Sequence, residues 1–173
     1  MPSIVTAERR REIAHRARTI AYWFFTIVVA FEMVAGAFWD LLQLEFTRVM
    51  MARLGYPPYF PFITGVWKLP CAMALVSPRF RRAKEWAYAG AFFNYTGAVA
   101  SHILVGDRGK WTFALGLAVF TVGSWVLRPA ERRLASTEPA PRDSGPARWL
   151  TAAGILAAMV VLALLTLPKG PPP

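Results

Sequence analysis

Long apolar runs alternate with short polar segments along this chain, and five of the runs are long enough to cross a bilayer. A crossing takes about 20 residues, because a helix rises about 1.5 Å per residue through a hydrocarbon core of about 30 Å. The first run, 19–39, carries one charge, Glu32. The second, 59–76, contains Lys68 and Pro70, and an interior proline usually kinks a helix. The third, 86–105, holds Asn94, Ser101 and His102, while the fourth, 111–127, and the fifth, 149–167, are uncharged. Trp39, Trp86, Trp111 and Trp149 stand at run ends, where interfacial indoles belong. The pattern predicts an all-α integral membrane protein with five spans.

The segments between the runs differ in kind. Residues 1–18 form a basic arm with Arg9, Arg10, Arg11, Arg16 and Arg18, able to continue as helix into the first span. A cleaved leader is the rival reading, since Ala35-Gly36-Ala37 resembles a cleavage site. The apolar run is long for a leader, and Glu32 falls just before the site. Residues 40–54 predict an interfacial helix: Leu42, Phe46, Val49 and Met50 share one side, with Asp40, Thr47 and Arg48 away from it. Gly55 and Pro57-Pro58 then end the helix. A basic turn occupies 77–85 and a tight turn 106–110. Residues 128–148 are polar with four prolines and predict a linker without its own core. The tail, 168–173, is too proline-rich for a helix.

Composition sharpens this picture. Hydrophobic residues make up 55% and charged ones only 17%, too apolar a mixture for a soluble globule. The net charge of +10 does not mark a nucleic-acid binder, because the positives fall in blocks between apolar runs. Fourteen of the twenty Lys and Arg lie in the arm, the 77–85 turn and the 128–148 linker, which five spans put on one side. The positive-inside rule places that side in the cytoplasm. The expectation is a multi-pass protein of the cell inner (plasma) membrane, amino terminus cytoplasmic and carboxyl terminus outside, with the lipid bilayer as its main partner.

Cys71 is the single cysteine, which excludes an internal disulfide, a CxxC pair and a cysteine-rich metal site. There is no GxSxG, HExxH or dinucleotide fingerprint, no cysteine pair and no haem-ligand histidine pair. No cofactor is evident in the residues, no metal is expected, and the chain does not read as an enzyme in isolation.

The chemistry that does stand out is buried. Glu32 falls about 10 Å below the outer boundary and Lys68 about 13 Å, at 1.5 Å per residue from the span ends. A lone charge at mid-bilayer costs about 2.5–3.5 kcal/mol, so the similar depths predict a Glu32–Lys68 ion pair. Gly90, Asn94, Gly97 and Ser101 recur at spacings of four, three and four, a small polar face suited to a close neighbour. His102 flanks that face and is a residue type able to relay protons or to bind a quinone carbonyl. Glu32, Lys68, Asn94, Ser101 and His102 are the candidate polar cluster.

Several elements in order carry a family resemblance. These are Gly55-Tyr56-Pro57, then Lys84-Glu85-Trp86 through Gly90, then Ser101-His102 and Gly106-Asp107. Over about residues 20–127 the sequence resembles the DoxX-like family of small membrane proteins. That resemblance implies a four-helix membrane bundle, here residues 19–127, with the basic arm and the fifth span as additions. The family name comes from a subunit of an archaeal thiosulfate:quinone oxidoreductase, and other relatives are linked to redox homeostasis. It therefore implies an accessory or anchoring subunit in a redox or quinone-linked process, with a redox partner protein or a second copy of the chain alongside. The alternative is a small oligomeric transporter or proton-coupled permease using Glu32, Lys68 and His102.

Overall fold

Six helices make up the regular structure among the described residues, which are 2–107, 109–129, 132–133 and 146–166 of a computed structural model. They are α1 (Pro2–Leu41), α2 (Glu45–Arg53), α3 (Phe60–Val76), α4 (Arg81–Leu104), α5 (Lys110–Leu127) and α6 (Pro146–Leu165). No strand occurs among these residues. The arm and the first apolar run form one helix of 40 residues, about 60 Å long at the usual rise. The predicted tail and most of the predicted linker, including 134–145, lie outside the described residues.

Each long helix buries one stripe. On α1 the stripe is Tyr22, Thr26, Val29, Ala30, Met33, Val34 and Ala37, at spacings of three and four. On α4 it is Ala87, Tyr88, Ala91 and Tyr95, and on α5 Ala114, Leu117, Ala118, Thr121 and Ser124. α1 packs against α3 and α5, α4 packs against the same two, and α6 lies on α1 and α3. α6 enters the core through a narrow seam of Met159 and Ala163. Large apolar side chains also point outward, Trp67, Trp86, Phe93, Leu104 and Phe113 among them. Water would penalise that surface; hydrocarbon does not. Among the described residues, three helical stretches are long and apolar enough to cross a membrane, namely Glu8–Leu41, Lys110–Leu127 and Pro146–Leu165. Phe60–Val76 is a shorter apolar helix, and α4 has 24 residues but carries more polar ones.

Two sequence expectations about packing change. The interfacial helix is shorter than 40–54, because α1 runs on to Leu41 and takes Asp40 with it. On α2 the most buried side chain is Thr47, whereas Val49, expected inside, is exposed, as is Leu42 in the preceding turn. The small polar face of α4 receives a neighbour only at its end, where Tyr56 bonds Ser101. Gly90 and Gly97 are exposed, with open space where a Cβ would sit. α4 instead turns in its Ala and Tyr stripe, whose phenols find hydroxyl and carboxylate partners in the core.

The closest helix contact is between α1 and α3. A Cβ on Gly65 would stand 2.9 Å from Asp40 Cβ, 3.0 Å from Leu41 Cγ and 3.2 Å from the Ala37 carbonyl oxygen. None of these is the free end of a flexible chain, so the helices themselves must separate. Gly65→Val is expected to cost about 1–3 kcal/mol, read from unfolding in detergent. Gly90→Ala, where space is open, should stay within about 0.5 kcal/mol of wild type.

Candidate functional site

Glu32, Gly36 and Asp40 follow one another at intervals of four on α1 and so share one face. Lys68 reaches that face from α3. Its ammonium donates to Asp40 Oδ2 at 2.8 Å, and Thr64 Oγ1 donates to the same oxygen at 3.0 Å. The Asp40 side chain is only 4% exposed and that of Lys68 13%, so the ion pair is buried. A Cβ on Gly36 would meet Lys68 Nζ at 2.9 Å and Glu32 Oε1 at 3.1 Å. The glycine therefore makes room for the lysine head between the two carboxylates. The expected Glu32–Lys68 pair is thus corrected: Lys68 bonds Asp40, and Glu32 accepts a hydrogen bond from Tyr95 Oη on α4. Glu32 also acts on Lys68 through space.

Two turns shape the end of this site, and both use the same device. After α2, Gly55 has φ +81°, its N–H bonds the Ala52 carbonyl, and the Tyr56 N–H bonds the Met51 carbonyl. After α4, Gly106 has φ +69°, its N–H bonds the Ile103 carbonyl, and the Asp107 N–H bonds that of His102. Each is a helix C-cap closed by a left-handed glycine, which folds the next residue back over the last turn. The first cap sets Tyr56 Oη 2.6 Å from Ser101 Oγ. The second sets Asp107 Oδ2 3.2 Å from His102 Nδ1, with Lys110 Nζ 3.9 Å from the same carboxylate. The glycine-tyrosine and glycine-aspartate elements of the sequence therefore meet through Ser101 and His102.

A cavity of about 340 Å³ opens inside this end of the helices, and its lining includes Glu32, Lys68, Asn94, Ser101 and His102. All five residues singled out in the sequence meet in one space. Tyr56, one of the family-motif positions, joins them, and Asp40, Thr64 and Tyr95, which the sequence does not single out, line the cavity or bond its polar groups. The four-residue rhythm of Glu32, Gly36 and Asp40 was the available signal for Asp40. Three donors around the cavity stay unused. Among the described residues, Trp39 Nε1 and Thr47 Oγ1 are buried without a hydrogen-bond partner and the Asn94 amide makes no hydrogen bond. A second cavity of about 470 Å³ runs between α3 and α4, apolar for most of its length, past Trp67, Cys71, Trp86 and Ala87. Thr64, Lys68 and Asn94 line both spaces, so the apolar groove and the polar cavity adjoin at these residues.

The lysine-glutamate-tryptophan element stands at the far end and has another role. Lys84, expected in an exposed basic turn, is fully buried. Its Nζ donates to the carbonyls of Ala74 at 2.7 Å and Leu75 at 3.1 Å, and to that of Ser77. Those are the unpaired carbonyls at the end of α3, so a side chain of α4 caps α3. Glu85 pairs with Arg128 at 2.8 Å and accepts from Trp125 Nε1 at 2.9 Å. Arg128 also lies 4.8 Å over the Tyr88 ring. Trp86 is exposed at the rim of the apolar groove. Among the described residues, no three His, Cys, Asp or Glu side chains group to hold a metal ion.

The model of the family described as DoxX-like matches residues 24–124, a stretch that contains the whole polar cavity. No curated protein and no solved structure matches the chain.

Proposed function

The chain belongs to the DoxX-like family of membrane proteins, and from that premise we propose that it serves a quinone-linked redox process as an accessory subunit of the cell inner membrane. In this reading α1, α3, α4 and α5 form a four-helix membrane bundle and α6 adds a fifth span. The amino arm is cytoplasmic and the carboxyl terminus outside. A reporter fused after Pro173 is expected to be active only on the outer side. A cytoplasmic reporter would overturn the five-span topology.

One observation carries the ligand reading: unused donors surround a polar cavity that adjoins a lateral apolar groove. Buried donors without partners are costly, and a ligand rich in acceptors offsets that cost. A quinone fits both halves, with carbonyl oxygens for the donors and an isoprenoid tail for the groove. When bound, it would exchange electrons and protons with a partner protein. Asn94 and Trp39 Nε1 would hold the carbonyl oxygens, and Lys68 has N–H groups left after bonding Asp40. Tyr95 with Glu32 provides a proton-carrying pair beside the cavity.

The reading is tested by titrating the purified full-length protein with a short-chain quinone analogue. Asn94→Leu is expected to weaken binding about tenfold, which is about 1.4 kcal/mol, while leaving thermal stability unchanged. Equal affinity in wild type and Asn94→Leu, or no binding to either, would remove the quinone reading.

A further inference from the structure

At the opposite end of the helices, a cavity of about 380 Å³ opens between α1, the segment after α5 and the start of α6. Its lining carries three basic side chains, His15, Arg132 and Arg148, and no acidic one among the described residues. Glu12, one turn before His15, is exposed and is not part of the wall. The remaining wall is largely apolar, with Trp23, Val76, Ala152 and Ile155.

Arg132 is held in place. One of its terminal nitrogens, Nη1, donates to Tyr22 Oη and to the Ser77 carbonyl, both at 3.3 Å. Its guanidinium carbon stands 4.7 Å from the centre of the Trp23 ring. The Nε and Nη2 hydrogens have no partner among the described residues, nor have the side chains of His15 and Arg148. The two wall threonines donate to their own helices, Thr19 to the His15 carbonyl at 3.0 Å and Thr151 to the Ala147 carbonyl at 2.8 Å. The donors left to a ligand are therefore cationic or imidazole groups, and they converge on one space.

We propose that this cavity binds the phosphate of an anionic phospholipid, with its acyl chains along the apolar wall. Guanidinium groups suit phosphate oxygens because their N–H donors match them in pairs. The apolar half of the wall favours a lipid over a free anion. Trp23 also lies only a few residues into the first apolar run, at the depth where headgroups meet hydrocarbon. The site is separate from the polar cavity, and nothing in the quinone reading depends on it.

The full-length protein in mild detergent, mixed with phosphatidylglycerol or phosphatidylcholine, provides the test by native mass spectrometry and thermal denaturation. Phosphatidylglycerol is expected to stay bound and raise the Tm, and phosphatidylcholine to do neither. Arg148→Gln and His15→Gln should each lower phosphatidylglycerol retention at least threefold without changing the lipid-free Tm. Arg132→Gln should lower it tenfold or more. Should that variant fail to fold, Arg148→Gln decides the matter. Equal retention of the two lipids, or undiminished retention in Arg148→Gln, overturns the proposal. An equal rise in Tm with inorganic phosphate alone would also overturn it, because the apolar wall would then contribute nothing.

Discussion

Asp40→Asn is expected to destabilise the protein by about 3 kcal/mol, the largest loss at the polar cavity. The change is nearly isosteric, so packing against Gly65 is kept and only the charge is removed. Lys68 is then left buried without its hydrogen-bonded counter-ion, and breaking a buried pair in this way typically costs about 3–5 kcal/mol. Glu32 lies near enough to compensate in part, which sets the expectation at the lower end. Removing both partners should be milder. In Asp40→Asn/Lys68→Met the stranded ammonium is gone and Glu32 keeps its hydrogen bond from Tyr95, so stability should recover by about 1 kcal/mol over Asp40→Asn alone. Unfolding of the four proteins of this cycle in mixed detergent measures the coupling. Glu32→Gln is the critical comparison and should cost less than Asp40→Asn. If it costs more, Glu32 is the energetic partner of Lys68 and the assignment to Asp40 fails.

Lys84→Met should have an effect of comparable size by a different route. An ammonium has three N–H donors, and three carbonyls at the end of α3 receive them. Burial and the nearby Arg132 and Arg128 work against the charge, whereas the negative end of the α3 dipole works for it. Methionine fills similar volume but leaves the carbonyls of Ala74 and Leu75 without that donor and Ser77 with Arg132 Nη1 alone. Each such loss costs about 1–3 kcal/mol when no water replaces it, so a total of about 3 kcal/mol is expected. Hydrogen exchange should quicken first in the last two turns of α3, ahead of the rest of the molecule. Arg82→Met, two residues away and exposed, is the control and should change stability by less than about 0.5 kcal/mol. A Lys84→Met protein with unaltered exchange in α3 would show that the cap carries no weight.

Much of the molecule could be read directly from the chain. The apolar runs correspond to α1, α3, α4, α5 and α6, because 17 or more largely apolar residues between polar turns leave the backbone few options but helix. Glu32, Lys68, Asn94, Ser101 and His102 were legible as a group because hydrocarbon makes every polar side chain conspicuous. What stayed illegible were the partners. Depth along a span fixes height but not azimuth, so it cannot choose the partner of Lys68, and the close approach of α1 and α3 at Gly65 is what brings in Asp40. Asp40 was also hidden by its place beside Trp39, which suggested the end of a span and the start of an interfacial helix. On α4 the small-residue rule pointed at Gly90 and Gly97. The tyrosines on the other side won the core because Tyr88 bonds Ser124 and Tyr95 bonds Glu32 there. Lys84 reads in sequence as one more charge of the basic turn, since the carbonyls it caps belong to another helix and leave no mark near it.

The link from Lys84 to α3 spans a connection of only four residues, 77–80. It therefore makes that turn intolerant of insertions. One added residue there would either bulge the turn or shift α4 by about 1.5 Å and 100° against its neighbours. In the second case Lys84 would leave the end of α3, and Asn94, Tyr95 and Ser101 would swing away from the cavity together. Length variation among related chains should accordingly be excluded from 77–80, although Arg79 and Phe80 are exposed, and collect outside the 24–124 stretch that the family model matches.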